Sequence, residues 1–164
     1  GSDGNDWLIG GNGQDILSGG AGNDTIEGGQ GNDTIDGGSG IDTVKYTDAK
    51  ASVTLDLSKG TAFSTAGHDA AGIGIDKLIS IENIIGSDHG DILIGSKDAN
   101  SIVGGAGNDT IDGGVGNDTL VGGPGADVFV FSTKPAVNNV DTIVDFEPGI
   151  DKIQLSSKIG RAHV

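Results

Sequence analysis

The sequence has no cysteine and no methionine, only 3 prolines, and aromatic residues at 4%. Without cysteine there is no disulfide framework and no thiolate metal site. So few large side chains among 164 residues cannot build one conventional globular core. Cations are scarce as well: 9 Lys and Arg stand against 24 Asp and Glu, for a formal charge of −15. That balance makes nucleic acid and anionic membrane surfaces poor partners and cations good ones. No apolar run approaches the ~18 residues of a membrane span, and no signal-peptide pattern opens the chain. Glycine is what the chain has in excess, 32 residues, or about a fifth where ~7% is usual. A disordered acidic tail can have such a composition. The order of the residues excludes it.

Read from Gly1, a nine-residue unit recurs five times without slippage. It places Asp6, Asp15, Asp24, Asp33 and Asp42 at position 6, and Leu8, Leu17, Ile26, Ile35 and Val44 at position 8. A second block of five starts at Gly86. It has Asp91, Asn100, Asp109, Asp118 and Asp127 at position 6, and Leu93, Ile102, Ile111, Leu120 and Phe129 at position 8. Gly1-Ser-Asp recurs as Gly86-Ser-Asp, so the register at residue 1 belongs to the repeat. Self-similarity at a fixed period outranks any local helix or strand preference. Glycine at positions 1, 2 and 4 suits a tight turn with positive φ and close backbone approach. The three residues around position 8 form only a short strand. Each unit is therefore half a coil, and two consecutive units close one coil. The predicted fold class is all-β: a parallel β-roll whose position-8 side chains meet between two sheets.

Stacked strands lie ~4.8 Å apart, so turns two units apart share one edge at that spacing. A calcium ion, with oxygen ligands at ~2.3–2.6 Å, fits between two such turns. The ligand pairs are Asp6 with Asp24, Asp24 with Asp42, Asp15 with Asp33, Asp91 with Asp109, Asp109 with Asp127, and Asn100 with Asp118. Asp24 and Asp109 then lie inside their stacks, with Asp6, Asp42, Asp91 and Asp127 at the ends. These pairs call for about six Ca²⁺ or more, enough to cancel most of the −15. Magnesium is disfavoured because it demands near-ideal octahedral geometry and keeps its waters. Ordinary turn aspartates would not need so strict a period.

The consensus G-G-x-G-x-D-x-U-x, with U apolar, resembles the RTX (repeats-in-toxin) family. The resemblance implies that backbone carbonyls join the position-6 carboxylates around calcium. In block one these are the carbonyls of Gly11, Gly13, Gly20, Gly22, Gly29, Gly31, Gly38 and Gly40. In block two they are those of Gly105, Gly107, Gly114, Gly116, Gly123 and Gly125. It also implies a module that folds on calcium outside the cell. Such a module supports type I secretion and stabilises a larger bacterial toxin, adhesin or enzyme. Its partners would be neighbouring domains and the secretion machinery. The alternative is a module binding polysaccharide or a cell surface, for which only Trp7, Lys45 and Tyr46 hint at an exposed strip.

The blocks occupy 1–45 and 86–130. Between them, 46–85 reads as a widened continuation of the coil and not as a flexible linker. It holds the degenerate unit Ala71-Gly-Ile-Gly-Ile-Asp76-Lys-Leu78-Ile, and Glu82 lies one unit before Asp91. Asp76 and Glu82 are further ligand candidates, although Glu82 reads more simply as an exposed strand charge. The segment 131–157, with Asp141 as another candidate, is similar to the closing segment of serralysin-type RTX proteins. Its alternation about Pro148-Gly149 predicts a hairpin over 138–155 that caps the roll by packing on Val121, Val128 and Val130. Residues 158–164 read as a tail outside the domain, on a C-terminus that looks truncated. Apolar residues at positions 7 and 9, such as Trp7, Ile9, Ile16, Ile92 and Val130, call for a cover. That cover would be the spacer, the tail or a neighbouring domain.

No catalytic constellation is visible. His68, His89 and His163 have no zinc spacing, and neither a nucleophile elbow nor a phosphate loop occurs. An aspartate in every glycine-rich turn would repel phosphate. The chain is therefore expected not to be an enzyme.

Overall fold

In the computed structural model, which describes residues 1–134, 136 and 139–156, every regular element is a β-strand. Block one forms β1 (Trp7–Asn12), β2 (Ile16–Ala21), β3 (Thr25–Gln30), β4 (Thr34–Ser39) and β5 (Thr43–Lys45). The spacer forms β6 (Val53–Asp56), β7 (Thr61–Ser64), β8 (Ile75–Ile79) and β9 (Asn83–Ile85). Block two forms β10 (Ile92–Ile94), β11 (Ser101–Val103), β12 (Thr110–Asp112), β13 (Thr119–Val121) and β14 (Val128–Phe131). The tail adds β15 (Thr142–Ile143) and β16 (Lys152–Leu155).

Within the blocks, successive strands go to opposite sheets. One sheet runs β1-β3-β5-β9-β11-β13-β15, the other β2-β4-β8-β7-β6-β10-β12-β14-β16. The parallel partner inside each block lies two units on: Leu8 faces Ile26, Leu17 Ile35, Leu93 Ile111 and Ile102 Leu120. The predicted coil is the coil found. Position 8 makes the core. Ile26, Ile35, Val44, Leu93, Ile102, Ile111, Leu120 and Phe129 are all fully buried. Positions 7 and 9 point outward, as the pleat requires.

The spacer continues the roll. β9 sits between β5 and β11, with Ile84 facing Val44 on one side and Ile102 on the other. In the opposite sheet β8 takes the next place after β4, pairing Leu78 with Ile35, so the degenerate unit occupies a true coil position. The period did not foretell β7, which runs antiparallel between β6 and β8. A turn after Asp56 reverses the chain there: its carboxylate accepts from Ser58 Oγ and from the Lys59 N–H and Nζ, and Gly60 adopts φ 66°. One sheet thus gains three strands where the other gains one. Tyr46, Ala62, Ala71 and Ile73, all buried, fill the resulting wedge.

The tail departs from expectation. In place of a hairpin, β15 adds to β13 and β16 adds to β14, both parallel and in opposite sheets. The segment is one more coil with longer turns, pairing Leu120 with Ile143 and Phe129 with Ile153, each more than two units on. Each preceding strand offers an open parallel edge, and the Pro148-Gly149 turn, with Gly149 at φ 91°, lies on the path between the two sheets. Ile143 and Phe146 pack on the core, Phe146 tilted against Phe129 with ring centroids 6.2 Å apart. Ile150 and Ile153 stay about half exposed, not seated on the outer valines. Asn138 and residues 157–164, on which part of the tail reading rests, lie outside the described residues. Spacer and tail therefore lengthen the sheets edge to edge, and Trp7, Ile9 and Ile16 on the outer faces stay more than 60% exposed.

Candidate metal centre

Every position-6 residue stands where a turn enters a strand, and its backbone N–H donates to the equivalent side chain one coil further on. Among the described residues, ten such rungs of 2.7–3.1 Å form two ladders. Along one edge run Asp6, Asp24, Asp42, Glu82, Asn100, Asp118 and Asp141. Along the other run Asp15, Asp33 and Asp76 and, past the inserted strands, Asp91, Asp109, Asp127 and Asp151. Asp76 and Asp141 thus take ladder positions with the repeat aspartates.

Three expectations need correction. Glu82 is not an idle strand charge, because its Oε2 accepts the Asp42 N–H at 2.8 Å. The turn before it is rebuilt around Ser80, at φ 50°, and the longer Glu side chain reaches the rung. Asp42 and Asp127 are not stack ends, since each donates onward, Asp42 to Glu82 and Asp127 to Asp151. Asp91 accepts the Val53 N–H on Oδ1 at 2.8 Å, so the spacer closes that end too. Of the four expected ends only Asp6 remains.

Two features escaped the sequence reading. Asp151 is a ladder member, and the signal was present in Gly149-Ile-Asp151-Lys-Ile153, which repeats positions 4, 6 and 8. Position 5 carries a second ladder: Asn5, Asn23, Asn32, Asn108 and Asn117 accept the position-5 N–H of the following coil. The recurring Asn before Asp was its signal.

Burial sharpens the chemistry. Asp24, Asp33, Asp42, Asp109, Asp118 and Asp127 are at most 2% exposed. In each, Oδ1 takes the rung while Oδ2, like Oδ2 of Asp15, is buried without any hydrogen-bond partner. Buried carboxylate oxygens are costly unless a donor or cation answers them. The turn keeps room beside them. A Cβ on Gly19 would land 2.1 Å from Asp24 Oδ2 and 2.4 Å from the Gly37 carbonyl oxygen. On Gly104 it would land 2.3 Å from Asp109 Oδ2 and 2.5 Å from the Gly122 carbonyl oxygen. Position 1 is thus glycine for space, since its φ is not positive.

Positions 2 and 4 are glycine for conformation, as at Gly29 (φ 98°) and Gly31 (φ 120°), where their carbonyls stack coil on coil. The expected carbonyl donors at these positions share this geometry except Gly125, which follows Pro124 and lacks the positive φ. Carboxylate and carbonyl oxygens converging without counter-charge suit a hard cation of flexible coordination, and the donor set fits Ca²⁺.

Burial pushes these carboxyls up: Asp109 to about 7, Asp118 to about 6, and Asp33, Asp42 and Asp127 in the same direction. Off the repeat, burial raises Asp76 to about 7, although the Tyr46 hydroxyl donates to it at 2.7 Å. A raised carboxyl means that the native chain holds protons the unfolded chain has released. Without metal, stability from these groups is present below about pH 4 and is lost as pH rises toward about 7. Chelated protein is therefore expected to retain more β-sheet circular dichroism at pH 4.5 than at pH 7.5. A stronger β-sheet signal at pH 7.5 would contradict this sign.

The exposed strip suggested by Trp7, Lys45 and Tyr46 loses a member. Tyr46 is 4% exposed and its hydroxyl is spent on Asp76. Lys45 Nζ lies 5.4 Å from the Trp7 ring centroid and pairs with Glu27 at 2.6 Å. His68 and His89 are exposed loop residues.

A family model described as the RTX calcium-binding nonapeptide repeat matches the chain four times, over residues 1–26, 9–44, 85–120 and 94–129. These matches span both blocks and more than half of the chain. No curated protein matches it.

Proposed function

Because the chain belongs to the RTX calcium-binding nonapeptide repeat family, we propose that this calcium-binding β-roll folds around its ions outside the cell. In doing so it stabilises a larger secreted protein and supports its export by a type I system. The observation that carries this reading is the row of buried Oδ2 atoms without partners, each beside a space kept open by glycine. The position-6 carboxylates whose Oδ2 is unanswered would hold the ions, with carbonyls of the glycines at positions 2 and 4. Bound Ca²⁺ supplies the positive charge that no donor of the chain supplies there.

Calcium modules of extracellular proteins work at ~10⁻⁴–10⁻³ M. At cytosolic calcium such a chain would stay unfolded, the state suited to passage through an export channel. Catalysis is not part of the reading. The polysaccharide-binding alternative retains Trp7, 67% exposed, with Lys45 over its ring. Calorimetric titration with Ca²⁺ and Mg²⁺ tests the proposal. Several calcium ions should bind with large heat while magnesium at the same concentration gives little. Equal binding of both metals would sink it.

A further inference from the structure

The ten repeat turns fall into two classes by the residue at position 2. Seven have glycine there, Gly11, Gly20, Gly29, Gly38, Gly105, Gly114 and Gly123, all at φ between 91° and 113°. These are the seven turns whose position-6 Oδ2 is buried without a partner. Three have serine, at Ser2, Ser87 and Ser96, and none of these has a positive φ. A side chain with a Cβ avoids the conformation that glycine adopts here.

In the serine turns the position-2 N–H reaches the position-6 side chain of its own turn. It donates at 2.6 Å to Asp6 Oδ2, to Asp91 Oδ2 and to Asn100 Oδ1. The hydroxyl adds to this, with Ser87 Oγ 2.9 Å from both oxygens of Asp91. Since Val53 N–H holds Asp91 Oδ1, that carboxylate is answered on both oxygens.

We propose that position 2 decides which turns take an ion: glycine turns bind calcium, and serine turns close on themselves through their own N–H and hydroxyl. The inference rests on the calcium-binding reading of the module. In the turn of Asp91 the chain's own donors satisfy both carboxylate oxygens with charge-assisted hydrogen bonds, and at Asp6 the Ser2 N–H answers Oδ2. A cation entering there would have to displace them, whereas in a glycine turn it meets an unanswered oxygen. The turn of Asn100 has in addition lost the charge. Two of the three serine turns are consecutive, at the start of block two, and the neighbouring spacer carboxylate Asp76 is likewise answered, by Tyr46. The middle of the roll is thus held by the protein's own donors, with calcium-taking turns on both sides.

Counting bound calcium at saturation on the whole chain, by calorimetry and equilibrium dialysis, tests this. Asp109→Asn should lose at least one ion, Asp91→Asn none, and Ser87→Gly should gain one. The proposal is overturned if Asp91→Asn loses as many ions as Asp109→Asn, or if Ser87→Gly binds no more than the parent chain. Should Asp91→Asn fail to fold, Ser87→Gly decides, and Ser2→Gly in an exposed turn repeats the test with the same expected gain. A parent chain that binds no calcium would instead refute the calcium reading itself, so the two failures are distinct.

Discussion

In excess EGTA at pH 7.5 the chain is expected to lose its β-sheet circular dichroism and its amide chemical-shift dispersion, and to regain both on adding calcium. Among the described residues, seven buried carboxylate oxygens have no hydrogen-bond partner. Leaving a buried polar atom unanswered costs ~1–3 kcal/mol, and more for a charged one. Summed over seven sites, the penalty is as large as the ~5–15 kcal/mol by which a whole domain is normally stable. The apolar side cannot offset it. The core is a single file of position-8 side chains between two sheets, widened in the spacer and by Phe131 and Phe146 near the C-terminal end. Ordering each backbone residue meanwhile costs ~1–2 kcal/mol. Cations that bind only the folded chain reverse the balance by mass action. A full β spectrum in EGTA at pH 7.5 would overturn this account of the ladders.

Truncation after Phe131 should have the next largest effect. It removes β15 and β16, the last strand of each sheet, and uncovers Leu120 and Phe129, both fully buried in the intact chain. Ile143 and Phe146 are partly buried against the core, so losing each costs less than the ~1.5–3 kcal/mol of a fully buried side chain. Asp118 and Asp127 lose their rungs to Asp141 and Asp151 as well. Block two would then end in two raw parallel edges, which invite association. The shortened chain is expected to need several-fold more calcium to fold, or to elute as oligomers when folded. An unchanged calcium midpoint with a monomeric elution volume would show that the last coil contributes nothing.

The repeat made much of this protein legible before any coordinates. A constant nine-residue period sets every coil to the same length. Parallel partners two units apart, the position-8 core and the pairing of position-6 residues one coil apart all follow by arithmetic. Glycine at three turn positions was legible too, but not its separate causes. Position 1 needs space beside Oδ2 and positions 2 and 4 need the left-handed backbone, a distinction that exists only once neighbouring coils are in contact.

Tertiary structure decided what happens where the period breaks. The rung from Asp42 passes to Glu82, and that from Asp33 to Asp76, because loops of unequal length return to the same open edge. The reversal after Asp56 that inserts β7 has no counterpart in the repeat. The tail alternation fits a hairpin as well as two separate strands, since period 2 specifies a strand face and not its partner. The open parallel edges of β13 and β14 chose the partners. The closed serine turns were likewise invisible in the consensus, where serine for glycine reads as a tolerated variation. Only the direction of one N–H per turn distinguishes a carboxylate already answered from one still awaiting a cation.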